Sequence, residues 1–155
     1  MYQSYRLAIV YFTLFSLLLL SSGTVLFVQK LGMSYESVEV FYLGSKEQFC
    51  QPKSSFGLLE TALPHLGGMG LFIFITGHFL LFSPKKEKVK AFLPVVLMFV
   101  AVFVDINSGF MIIQGWTVFI WIKLLAFFTL QIVGFYLLFI VLKNALKSLF
   151  KYAKQ

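Results

Sequence analysis

The chain has one cysteine, Cys50, and only two histidines and four prolines among its 155 residues. A lone thiol excludes an internal disulfide and leaves any CxxC metal or redox motif incomplete. Charge is scarce too: 12% of residues are charged, six of them acidic, against 59% hydrophobic with 20 Phe. A water-soluble domain cannot hide that much apolar surface, so the composition requires a polytopic membrane protein. Walker loops, GxGxxG, HExxH and GxSxG motifs are all missing. No residue stands out as catalytic, and a subunit is expected rather than a stand-alone enzyme.

What is present is four long apolar runs. They predict an all-α fold: one membrane domain, a four-transmembrane-helix bundle with spans at about 7–28, 56–82, 91–113 and 116–142. The first run, LAIVYFTLFSLLLLSSG after Arg6, also has the make-up of a signal peptide, but it is long enough to span. Lys85, Lys86, Lys88 and Lys90 fill the connection after the second span, and Lys143, Lys147, Lys151 and Lys154 fill the basic tail 143–155. In the loop 29–55, Lys30, Lys46 and Lys53 are offset by Glu36, Glu39 and Glu47. The positive-inside rule then places both termini in the cytoplasm and the loop 29–55 outside. The net charge of +7 is thereby a matter of orientation and lipid contact, not of nucleic-acid binding. Trp116 is expected at the outer interface. Within the loop, Ser34 is placed to cap a helix YESVEVFYL stopped by Gly44, with a second turn at KEQF before Pro52. Val38, Phe41 and Tyr42 would rest on the membrane surface. The tail LKNALKSLFKYAK continues span four as a basic helix among anionic headgroups.

The second span carries both histidines, His65 and His78, thirteen residues or about 20 Å apart. Ionisable side chains are costly in hydrocarbon, so each marks a candidate site for b-type haem, a metal or protons. Glu60, Pro64, Gly67, Leu71, Phe74 and His78 share one stripe, and His65 lies about 140° away. Two imidazoles at different depths cannot share one iron. In an antiparallel hairpin His78 is level with Met98 and His65 with Met111, and histidine–methionine ligation is known haem chemistry. Partner subunits or a homodimer are a second source of ligands. Packing with the imidazoles hydrogen-bonded between helices is the third reading. Gly67, Gly70 and Gly77 would admit a macrocycle or, more commonly, a closely packed helix. Glu60 reads as a proton or quinone site, or as a first-turn carboxylate favoured by the helix dipole.

Asp105 and Lys123 are the other charges inside spans. Each lies nine residues from Gln114 at the turn, so an antiparallel hairpin sets them at one depth, about 13 Å in, and pairing follows. Asn107 and Gln131 would extend the polar network. A proton or ion path through Asp105, Lys123 and Glu60 is the functional alternative to a structural ion pair.

The segment YLGSKEQFCQPKSSFGLLETALPHLGGMGLFIFITGHFLLF, with DINSGF and WIKLLAFF, resembles a family of small four-span inner-membrane proteins of proteobacteria over most of the chain. That resemblance implies a fold and a location but no biochemical role. The histidine-bearing span resembles the di-haem helices of cytochromes b, whose histidines are fourteen rather than thirteen apart. The lysine early in the last span is similar to that of CopD-type membrane domains. Together these readings lead to a small integral membrane subunit for electron transfer or redox-ligand binding with b-type haem. The alternatives are a non-catalytic accessory or anchoring subunit, and the proton or ion path.

Overall fold

The computed structural model describes residues 3–47 and 49–152, with side chains from Ser4 to Lys147. Five helices follow in order: α1 (Gln3–Lys30), α2 (Tyr35–Leu43), α3 (Ser55–Leu80), α4 (Lys85–Ile113) and α5 (Phe119–Tyr152). All but α2 are long and apolar enough to cross a membrane. Among the described residues the one extended pairing is an isolated bridge between Ser45 and Cys50. Helices suit this sequence because the bilayer offers no partner for backbone N–H and C=O groups, so each span must satisfy its own.

The helix ends follow local chemistry. Ser34 caps α2 by accepting from the Ser37 amide, and the Ser37 hydroxyl group in turn accepts from the Ser34 amide, at 3.1 and 3.2 Å. Gly44 ends α2 at φ 78°, a conformation costly for any side chain, while its amide donates to the Val40 carbonyl at 2.9 Å. Ser54 caps α3 at the Gly57 amide. The KEQF turn contains Gln48, which lies outside the described residues. Around it, the Ser45 and Cys50 amides and carbonyls exchange 3.0 Å hydrogen bonds. Helix α4 starts at Lys85, well before the apolar run, since nothing in KKEKVK stops a helix and Pro84 is preset for its entry. Its 29 residues extend about 43 Å, longer than the hydrocarbon layer of about 30 Å, so its first turns stand in the headgroup region. Helix α5 starts only at Phe119, because Gly115 at φ 92° and the Trp116 amide, bonded to the Met111 carbonyl at 3.1 Å, make the turn.

Helix α5 is the centre of the bundle, packed against α1 on one side and α4 on the other, while α3 leans mainly on α4. The larger core joins Leu20, Ile73, Met98, Val102, Leu137 and Leu138. With lipid as apolar as leucine, close packing rather than water exclusion holds these helices together. Gly134 shows how close: a Cβ there would meet Leu20 Cδ1 at 3.0 Å and Met98 Cε at 3.5 Å. A smaller core sits at the opposite end from the termini, where Val38 and Tyr42 of α2 pack on Ile112, Ile120 and Leu124. This corrects the expectation that Val38 and Tyr42 lie on the membrane surface. Both are buried, because the α4–α5 turn presents an apolar seat that α2 covers.

Candidate functional site

The most enclosed polar cluster lies between α4 and α5. Lys123 Nζ donates to Asp105 Oδ1 at 2.9 Å and to the Asp105 carbonyl at 3.1 Å. Their side chains are 7% and 12% exposed. The depth match comes from the turn: both residues are nine positions from Gln114, on helices that run antiparallel. An ammonium in hydrocarbon is tolerable only when its protons have acceptors, and here a carboxylate and a carbonyl supply them.

Helix α2 closes the cluster from above. Lys123 Nζ lies 5.8 Å from the centroid of the Tyr42 ring. That ring is seated on Gly109, where an added Cβ would come within 3.2 Å of Tyr42 Cε1. Burial pushes the Tyr42 hydroxyl above its ordinary pKa, and the neighbouring ammonium works against that shift. The tyrosine is therefore a neutral lid. Nothing in sequence patterning separated Tyr42 from the other aromatic residues of the loop, because its role depends on where α2 docks.

The cluster does not extend along the bundle as expected. Asn107 Nδ2 turns back to the Phe103 carbonyl of its own helix at 2.8 Å. Gln131 Oε1 is buried without a hydrogen-bond partner. Deeper in, Met98, Leu137 and Leu138 are fully buried and pack against one another's helices. The arrangement braces α4 against α5 with a closed ion pair.

Helix α3 carries the other candidates, and they are arranged differently. His65 and His78 are both exposed, so the expected hydrogen bonding between helices does not describe them. The His78 ring packs on Phe74 and Phe82, with centroids 6.5 and 5.8 Å away. Met98 is buried with its methyl group toward Gly134, while His78 faces outward, so the two occupy different surroundings. Met111 is half-buried at the far turn, where its carbonyl accepts from Gln114 and Trp116. Glu60 is exposed and lies beyond the first turn of α3, which holds no acidic residue, so the dipole reading does not apply to it.

The glycines of α3 also depart from expectation. A Cβ at Gly67, Gly68 or Gly70 would meet nothing within 4 Å, and at Gly77 it would meet only Val95, at 3.6 Å. Among the described residues no helix packs closely on Gly67 or Gly70; the buried residues of α3, Phe72, Ile73, Thr76 and Leu80, lie in its second half, while Leu58 near its start packs against the smaller core. Its first half is half-buried at most. Among the described residues no group of three or more His, Cys, Asp or Glu side chains is placed to hold a metal ion.

A further polar cluster, unforeseen from the sequence, ties the basic end together. Asn144 Nδ2 of α5 donates to Ser83 Oγ at 2.8 Å and to Glu87 Oε2, and Lys143 Nζ approaches Glu87 Oε1 at 3.9 Å. Asn144 looked like one polar residue in a basic tail, and only the crossing of α5 over the α3–α4 turn gives it partners.

Four apolar helices long enough to span, two of them joined by a buried ion pair, define an integral membrane helical domain. Residues 32–152 match the Aq_1264_TM family model, described as a transmembrane helical domain, and the chain belongs to that family. No curated protein and no solved structure matches the chain.

Proposed function

We propose that the chain is an accessory subunit of a membrane complex and that residues 60–70 of α3 form its docking surface. The observation that carries this reading is the uncovered face of α3. Glu60 and Gly67 share one stripe of a helix that must stand in lipid, and a Cβ at Gly67, Gly68 or Gly70 would meet nothing within 4 Å, while His65 lies about 140° round the same helix. Each ionisable side chain left against hydrocarbon costs about 2–3 kcal/mol on insertion scales, and a facing helix removes that cost. Small residues are the surface on which membrane helices approach most closely. The enclosed ion pair fits the same role, since it stiffens the α4–α5 hairpin without opening a polar route across the bundle.

A second reading is favoured by the exposure of both imidazoles. A b-type haem would be held by His65 on this surface, or by His78 at the opposite end of α3, with a facing chain supplying the other ligand. Met98 is committed to the core, so a haem held by this chain alone would lack its second ligand near His78. The haem would supply one-electron transfer, and the chain would supply an imidazole and an apolar wall.

Both readings are tested on native membranes solubilised in mild detergent. On a native gel the chain is expected to migrate in a complex larger than its own 17.7 kDa plus micelle. Gly70→Phe is expected to release it as a folded monomer. Migration as a monomer from the start would end the subunit reading. An absorption spectrum of the isolated complex decides the haem: a Soret band lost in His65→Ala or His78→Ala supports it, and a flat spectrum removes it.

A further inference from the structure

A groove of about 310 Å³ runs along the outside of the α3–α4 hairpin at its basic end. Its walls are Ile73, Phe74, Gly77, Phe92, Val95 and Phe99, and its polar members are His78 and Lys88. These two residues lie five positions on either side of Ser83, so they stand at one level, about 7 Å from the turn. Phe99 lies eleven residues beyond Lys88, or about 16 Å deeper, which is close to one leaflet of a hydrocarbon layer about 30 Å thick. The groove therefore has the length and the apolar lining of a single acyl chain, with polar groups only where a headgroup would sit. Gly77 keeps its floor open, since no side chain projects there.

Charge points the same way. Lys85, Lys86, Lys88 and Lys90 occupy the first six residues of α4, the helix end at which the backbone dipole disfavours cations. The acid of that turn, Glu87, is engaged by Asn144 and Lys143 of α5. Lys88 is exposed at the groove and takes no part in that cluster. An anion at headgroup level offsets both the lysine charge and the helix dipole. Basic pockets between membrane helices are recognised sites for acidic lipid headgroups.

We propose that this groove binds one anionic phospholipid, with an acyl chain along the trench and the phosphate between Lys88 and His78. The ammonium pairs with a phosphate oxygen, and the imidazole, held by Phe74 and Phe82, donates an N–H to another. This site is separate from the docking face at residues 60–70 of α3.

The test is native mass spectrometry of purified protein from micelles doped with equal phosphatidylglycerol and phosphatidylcholine of the same chains. The wild type is expected to retain one phosphatidylglycerol in preference. Lys88→Gln is expected to reduce that preference about five-fold, the effect of one lysine at an anionic surface. Lys85→Gln, on the same turn but outside the groove, is expected to leave it in place. Gly77→Leu fills the trench and is expected to abolish retention of both lipids. Val95→Phe narrows it from the opposite wall and serves if Gly77→Leu fails to give native circular dichroism. Equal retention of the two lipids by the wild type overturns the proposal. So do equal effects of the two lysine variants, which would reduce the preference to general surface charge. Unchanged retention in both trench-filling variants overturns the groove, and retention of oleate without phosphatidylglycerol overturns the phospholipid assignment.

Discussion

Replacing Lys123 by Met, or Asp105 by Leu, removes one member of a pair whose side chains are 7% and 12% exposed and 2.9 Å apart. Each single change strands a charge that the bundle cannot solvate. For a buried pair that costs about 3–5 kcal/mol. The double replacement strands nothing, and apolar pairs of similar volume are often neutral or better. The singles would sum to about 6–10 kcal/mol if they were independent, whereas coupling predicts a double-variant loss below about 2 kcal/mol. Equilibrium unfolding in mixed micelles, followed by circular dichroism and tryptophan fluorescence, measures all four corners of the cycle. Trp121 adds a local readout, because its ring lies 5.7 Å from Tyr35 of α2 and reports whether the lid stays docked. Single losses that add in the double variant would refute the pairing as a stabilising unit. Single variants as stable as the wild type would refute the burial argument itself.

Gly134→Leu is expected to push α1 off α5 and cost about 1–3 kcal/mol by overpacking, with partial rescue by Leu20→Ala; unfolding midpoints check this. The Tyr42 phenol is expected to ionise above the ordinary tyrosine range. Because its folded-state pKa is raised, its contribution to stability is complete below the ordinary value and lost as the pH rises through the raised one. Ultraviolet difference titration of the wild type against Tyr42→Phe reads that shift. Cys50 is exposed near the α2 end, and the lysine bias predicts that this end faces outward, so an impermeant thiol reagent is expected to label intact cells; labelling only after lysis would invert the orientation.

The spans were legible because hydrocarbon demands long uninterrupted apolar helices, and Ser34 and Gly44 marked α2 by capping chemistry that acts over three or four residues. Asp105 and Lys123 could be set at one depth by counting from Gln114, since an antiparallel hairpin conserves distance from its turn. The docking of α2 was not legible. Val38 and Tyr42 are apolar enough for lipid or for protein, and only the seat made by Ile112, Ile120 and Leu124 decides between them. The glycines of α3 were legible only in part: small residues announce a close approach, but not which helix makes it, and within this chain only Val95 comes near, at Gly77. Asn107 does not join the network because polar side chains inside a helix can turn to their own backbone, as it does, whereas Gln131 Oε1 is buried without a partner.

The central claim, that another chain covers residues 60–70 of α3, is tested most directly by spin labels placed one at a time along that segment in a Cys50→Ser background. Oxygen accessibility is then read in native membranes and again after purification. The account predicts low accessibility at Gly67 and Gly70 in native membranes, repeating with helical period, and a rise to lipid-exposed values once the chain is isolated. Lipid-exposed values at both positions in native membranes would contradict it.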